Sequence, residues 1–201
     1  MLLEGYEIDE SNLPKHIGII MDGNSRWAKA NHLVREKGHK KGVETLKDIL
    51  LYAYDTLKLN AISMYAFSIE NWNRSQKEVG YLMRLFAHFY KNEFQEIKKR
   101  KVKVIHSGIL TRLSDKTIKI IQKMKDETKD LDKGILNLVF NYGGRNELIE
   151  ATKKIASDYK NDKINLEQLN DELFKSYLFN PELPDVDLVI RTSGEMRISN
   201  F

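Results

Sequence analysis

Short apolar runs alternate with longer stretches of helical periodicity along most of this chain. Residues 16–22 (HIGIIMD) form an apolar run closed by an acid, which predicts a buried strand with Asp22 at its carboxyl end. From about Lys41 to Leu59 the positions Val43, Leu46, Ile49, Leu50, Ala53 and Leu57 keep helical spacing, and a second strand is expected over 61–68 (AISMYAFS). A helical pattern from Lys77 to about Arg100, a strand at 102–107 (VKVIHS), a helix from Ser114 to about Lys129 and a strand at 135–141 (ILNLVFN) continue the series. A helix starting near Arg145, a shorter one from Leu166 to Tyr177 and a strand at 186–193 (VDLVIRTS) complete it. Ser114 and Asn165 precede helical patterns, where their oxygens can cap free backbone N–H groups. This alternation predicts an α/β fold with a mainly parallel central sheet flanked by helices, whose ligands sit at the carboxyl ends of the strands.

Composition narrows the class without naming a chemistry. A length of 201 residues suits a single domain over 1–201, and the polar stretch 158–165 reads as a surface connection within it. Hydrophobic residues at 41% and charged residues at 31% exclude disordered and membrane-embedded classes. No apolar run approaches the ~20 residues that cross a bilayer, and no signal-peptide pattern opens the chain, so a cytoplasmic location is expected. Cysteine is absent, which excludes thiolate metal sites and a cysteine nucleophile; any metal must use oxygen or imidazole ligands. A net charge of +4 is too small an excess to indicate nucleic acid as a partner. Neither a GxxxxGK[ST] loop nor a serine-centred elbow is present.

The candidate chemistry lies where strands end. In MDGNSRWAK (21–29), Gly23 permits a tight turn, backbone N–H groups of the turn can face an anion, and Arg26 adds a permanent charge. Asp22 could hold Mg²⁺, which commonly bridges one or two carboxylates and substrate phosphates. The plain alternative is that Asp22 and Asn24 cap a helix while Trp27 packs beside the core. Arg35 and His39 share a face if their segment is helical, and both can donate to phosphate oxygens. FSIENWNR (67–74) brings Ser68, Glu70, Asn71, Trp72 and Arg74 to a second strand end, with packing the plain reading for Trp72 and capping for Glu70. RTSGEMRIS (191–199) adds Arg191, Arg197 and Ser199, and NYGGR (141–145) is a fourth turn that can be purely structural. Converging arginines at several strand ends point to a diphosphate, which their planar forks bind better than lysine does.

Taken together, HIGIIMDGNSRWA, the GHKKG turn, YAFSIENWNR, NYGGR and VDLVIRTSGEMRISNF resemble the cis-prenyltransferase family in order and spacing, from about Leu13 to Phe201. The resemblance implies sequential condensation of isopentenyl diphosphate onto an allylic diphosphate primer, farnesyl diphosphate, with cis double bonds. The implied product is undecaprenyl diphosphate, precursor of the cell-wall lipid carrier, received in a hydrophobic tunnel where Ala66 is too small to obstruct a long tail. It also implies a homodimer and transient contact with the inner membrane face for product release. By resemblance Asp22 serves Mg²⁺ and catalysis, and Gly23, Asn24, Ser25, Arg26 and Trp27 meet the allylic substrate with help from Arg35 and His39. Ser68, Ile69, Glu70, Trp72 and Arg74 surround the reacting groups, Asn71 holds the position assigned to proton removal, and Arg191, Arg197, Ile198 and Ser199 take isopentenyl diphosphate. Two departures stand out: Ser25 occupies a position that is often glycine, and the chain stops at ISNF, before a C-terminal segment with a further Mg²⁺ ligand that the family pattern leads one to expect. A non-catalytic regulatory partner of another prenyltransferase is the competing expectation, opposed by the presence of Asp22, Asn71 and the arginines.

Overall fold

The apolar runs become a five-stranded sheet in which every pairing is parallel. The computed structural model describes residues 2, 3 and 5–201. A small hairpin of β1 (Leu2–Leu3) and β2 (Tyr6–Glu7) leads into β3 (His16–Ile20), α1 (Asn24–Ala30), α2 (Arg35–Asp55) and β4 (Ala61–Ser68). Then come α3 (Gln76–Asn92), α4 (Phe94–Lys99), β5 (Val102–Ser107), α5 (Asp115–Thr128) and β6 (Gly134–Tyr142). The chain continues through α6 (Gly144–Lys160), α7 (Asp171–Ser176) and β7 (Leu188–Arg191), and the sheet order is β5-β6-β4-β3-β7.

Three departures from the sequence expectation have physical causes. GHKKG is not a turn: residues 38–42 lie inside α2, which begins at Arg35 and not near Lys41. Its glycines are there for close approach, because a Cβ on Gly38 would stand 2.0 Å from Asn24 O and one on Gly42 2.4 Å from Asn24 Oδ1. The helix expected over 77–100 is divided at Glu93, beyond which Phe94 and Ile97 are fully buried. The segment 166–177 resolves into a 3-10 turn, Leu166–Gln168, capped by Asn165, and α7, capped by Asn170. Ser114 caps α5 as expected, accepting from Thr117 N at 3.3 Å.

Each central strand alternates between two buried layers. Ile17, Ile19, Ile62, Met64, Leu136, Leu138 and Phe140 pack with Leu46 and Leu50 of α2, Phe86 and Phe89 of α3, and Ile121 and Met124 of α5. The opposite face carries Ile20, Tyr65 and Val139, with Phe201 stacked on Tyr65 at 4.9 Å. Gly18 leaves room for that ring, since a Cβ there would meet Phe201 at 2.6 Å.

The same face buries a polar row. The carbonyl of Pro184 can only accept, so His16 donates from Nδ1 (2.7 Å) and its Nε2 accepts from Ser63 Oγ (2.8 Å). Ser63 Oγ in turn accepts from Asn137 Nδ2 (2.9 Å), Asn137 Oδ1 from Ser107 Oγ (3.0 Å), and Ser107 Oγ from Asn180 Nδ2 (2.8 Å). The row ties β3, β4, β6 and β5 to the 180–184 segment with each link used once. Ser63→Ala breaks two links at once, leaving His16 Nε2 and Asn137 Nδ2 buried and unpaired. We expect a loss of about 1–3 kcal/mol, seen as a lower urea midpoint with an unchanged slope.

Candidate active site

The turns after β3, β4 and β7 open onto one cleft of about 690 Å³, within the usual range for small-molecule sites. Its polar part is built at the strand ends. The β3–α1 turn contributes Asp22, Gly23, Asn24, Ser25 and Arg26, and α2 adds Arg35 and His39. The segment after β4 gives Ser68, Glu70, Asn71 and Arg74, and the one after β7 gives Arg191, Ser199 and Asn200. Its apolar part lies between α2, α3 and the sheet, walled by Val43, Leu46, Leu82, Leu85, Phe86, Phe89 and by Met64, Ala66 and Phe140.

Local interactions fix the two principal turns together. Gly23 has a φ of 87°, and a Cβ there would lie 2.5 Å from the Ser193 side chain, so glycine is required on both counts. Asp22 N donates to Thr192 Oγ1 (2.9 Å), and that hydroxyl donates back to Asp22 O (2.6 Å). Ser199 and Asn200 are left-handed, at φ of 49° and 64°. This bend brings Ser199 Oγ to 2.7 Å from Arg191 Nη1, which also donates to Arg197 O. Asn200 Nδ2 reaches Glu70 Oε1 at 2.6 Å, joining the β7 segment to the β4 segment.

Charge in the cleft is paired but poised. Asp22 Oδ2 accepts from Arg191 Nη2 (2.7 Å) and Nε (3.3 Å), while Arg26 Nη2 lies 3.5 Å from Oδ1. Partial burial pushes the Asp22 carboxyl up, but the Arg191 hydrogen bonds, the Gly23 N–H and the two arginine charges outweigh it and hold the group below its ordinary value. Glu78 gathers Arg35 (2.7 Å) and Arg74 (2.6 Å), and Arg35 Nε also donates to Ser25 Oγ (2.6 Å). Glu195 gathers Arg26 (3.1 Å) and Arg197 (2.7 Å). Serine at position 25 thus has a use that glycine lacks: its hydroxyl anchors Arg35.

Burial, with the charges of Arg35 and Arg74, lowers the His39 pKa against the opposing pull of Glu78 and Glu36. Burial likewise lowers that of His106, opposed by its hydrogen bond to Phe140 O. Below about pH 6.5 an unfolded histidine binds a proton that these two refuse in the folded state. Stability from both groups is therefore full above that pH and falls as pH drops from it through the depressed folded values. Thermal midpoints at pH 7.5 and 5.5 should show this, with a smaller difference in His106→Gln.

Of the residues singled out from sequence, Trp27, Ile69, Trp72, Arg197 and Ile198 stand outside the cleft wall. Trp27 and Ile198 are exposed, Arg197 projects to solvent beside Glu195, and Trp72 packs behind the wall against the core. Sequence reasoning missed Glu78 and Glu195, which organise four arginines, and the apolar wall, whose periodicity is that of ordinary core. Glu78 had one available signal: it is an acid in the first turn of α3, four residues after Arg74.

Comparison with known proteins shows the family. The family model described as "Putative undecaprenyl diphosphate synthase" matches residues 20–201. An isoprenyl transferase of Fusobacterium nucleatum subsp. nucleatum is 48% identical over 192 residues, 96% of this chain and 80% of that protein. The ditrans,polycis-undecaprenyl-diphosphate synthase ((2E,6E)-farnesyl-diphosphate specific) of Micrococcus luteus is 43% identical over 199 residues, 99% of this chain and 80% of the relative. The crystal structure of lavandulyl diphosphate synthase from Lavandula x intermedia, in complex with dimethylallyl diphosphate, superposes with a TM-score of 0.90 at 30% identity, covering 94% of this chain and 81% of that one. The chain belongs to the undecaprenyl diphosphate synthase family of cis-prenyltransferases.

Proposed function

We propose that this protein condenses isopentenyl diphosphate units onto farnesyl diphosphate with cis geometry, yielding undecaprenyl diphosphate. The observation that carries the reading is one cleft with an arginine-rich end and an apolar end, the shape and polarity of a diphosphate joined to a hydrocarbon tail. Arg26, Arg35 and Arg74 would hold the allylic diphosphate beside Gly23, Asn24 and Ser25, and His39, neutral at pH 7, would donate one hydrogen bond. Arg191, Ser199 and Arg197 would hold isopentenyl diphosphate, with Arg197 swinging inward from its exposed position. Charge-assisted hydrogen bonds contribute about 1.5–3 kcal/mol each. A helix of seven residues adds little to that, so the arginines dominate anion affinity.

Asp22 fits Mg²⁺ by donor chemistry. It is an ionised, partly exposed carboxylate at the cleft, and the described residues hold no group of three metal-ligating side chains. That suits a hard cation completed by substrate phosphates and water, not an all-protein cage. When bound, Mg²⁺ would offset the charge developing on the departing diphosphate. The allylic C–O bond breaks with its electron pair going to diphosphate, the isopentenyl double bond supplies the new C–C bond, and a proton leaves the isopentenyl unit. Asn71, a neutral amide, is too weak a base to take it. Its side chain, already engaged with Ser68 N at 3.2 Å, orients the water or diphosphate oxygen that accepts the proton.

We also infer a homodimer with transient contact at the inner membrane face. Leu188, Val189 and Ile190 of the edge strand β7 are each more than 40% exposed, which supports a covering partner, and no described helix is long and apolar enough to cross a membrane. For the cleft itself, thermal shift is the test. Farnesyl diphosphate should raise the melting temperature more than inorganic diphosphate or farnesol at equal concentration, since only it engages both ends. Equal shifts from inorganic and farnesyl diphosphate would remove the apolar end from the site.

A further inference from the structure

Asn141, the first residue of NYGGR, is 1% exposed and left-handed at φ 56°, yet it does not line the cleft. Both polar atoms of its side-chain amide are committed. Oδ1 accepts from the Trp72 indole Nε1 at 2.7 Å, and Nδ2 donates to Ile109 O (2.8 Å) and Thr111 O (2.9 Å). Its backbone O accepts from Ile109 N at 3.1 Å. The indole N–H can only donate and the two carbonyls can only accept, so the amide orientation is fixed by its partners. Aspartate would place an anion against two carbonyl oxygens, and leucine would leave three polar groups without a partner in the interior.

This arrangement clamps the ends of three strands to one side chain. Trp72 belongs to the Ser68–Arg74 segment after β4, Ile109 and Thr111 follow β5, and Asn141 lies on β6. The Arg112 guanidinium covers the indole at 4.7 Å from its centroid, and Phe67 meets it edge-on at 5.3 Å. Trp72 is the only member of its 3-10 turn with this anchor, and Asn71 precedes it directly.

We propose that Asn141 is a positioning residue for prenyl transfer, fixing the Trp72 indole and through it the placement of Asn71 beside the reacting groups. This rests on the reading of the cleft given above. Asn141→Gly removes the amide without straining the positive φ, and Trp72→Phe removes the indole donor while keeping a ring. Each should lower kcat about 10- to 100-fold with a much smaller change in KM for isopentenyl diphosphate, as expected for a misplaced reacting group and not for lost binding. The double variant should lose no more than either single one. In a Trp27→Phe background Trp72 is the sole tryptophan, and Asn141→Gly should shift its emission to the red. Should Asn141→Gly fail to fold, Trp72→Phe carries the same kcat test. A folded Asn141→Gly with wild-type kcat, or losses that multiply in the double variant, would overturn the proposal while the cleft reading stands. A wild-type protein without condensation activity would remove the cleft reading and the proposal with it.

Discussion

Asp22→Ala should lower condensation about 100- to 1,000-fold, the loss typical when a group acting on transition-state charge is removed, while leaving metal-free binding of isopentenyl diphosphate undiminished. The two halves of that expectation follow from where the carboxylate sits. It faces Arg191 and Arg26, the side chains proposed to hold substrate, so in the absence of metal it competes with an incoming diphosphate for both. Removing it frees Arg191, which keeps Ser199 Oγ and Arg197 O as partners and so remains in place. Binding without metal therefore stays the same or tightens, and turnover falls because Asp22 is the carboxylate proposed to hold the cation. Steady-state kinetics with Mg²⁺, beside equilibrium titration in EDTA, separate the two. Weakened metal-free binding would mean that Asp22 acts chiefly as scaffold for the turn.

The second large effect is expected far from any reacting atom. Gly38→Ala gains at most ~1 kcal/mol of helix propensity, but its Cβ would lie 2.0 Å from the backbone oxygen of Asn24 and 3.0 Å from Ala28. Backbone cannot rotate away as a flexible side chain can, so α1 must lift from α2. Overpacking of this kind costs about 1–3 kcal/mol, and a displacement near 1 Å in a positioned group costs turnover about 100-fold. The turn Gly23–Arg26, proposed to hold the allylic diphosphate, moves with α1, so the loss should appear in both kcat and KM for the allylic substrate. Gly80→Ala is the control: it also sits inside a helix, and its Cβ would meet nothing closer than the flexible Arg84 guanidinium at 3.5 Å. It should be neutral or slightly stabilising.

Gly38 also shows what the sequence could and could not convey. Glycines four apart read naturally as a turn, because local preference alone favours that reading; the reason for them is the oxygen of Asn24, which only tertiary structure supplies. The break at Glu93 was hidden for a similar reason: no glycine or proline marks it, and it coincides with burial of Phe94 and Ile97. Strands were legible because buried parallel strands are nearly continuous apolar runs, although this same signal concealed the polar row from His16 to Asn180. Among site residues, those on strand-to-helix turns were legible, since acids, glycines and arginines seldom cluster there without cause. The apolar wall was not, because Val43, Leu82, Leu85 and Phe89 obey the same periodicity whether they face a core or a cleft. Trp72 carries two readings in sequence, packing and substrate contact; its indole donates to Asn141, and no local pattern distinguishes these orientations.

The most direct measurement is incorporation of radiolabelled isopentenyl diphosphate into butanol-extractable product with farnesyl diphosphate as primer, with and without Mg²⁺, followed by chain-length analysis. A two-ended cleft that holds diphosphates by arginine and the growing tail by its apolar wall predicts long cis-polyprenyl product with Mg²⁺ and none in EDTA. Folded protein that binds farnesyl diphosphate yet incorporates no label would contradict catalysis and leave the cleft as the ligand-binding site of a non-catalytic partner.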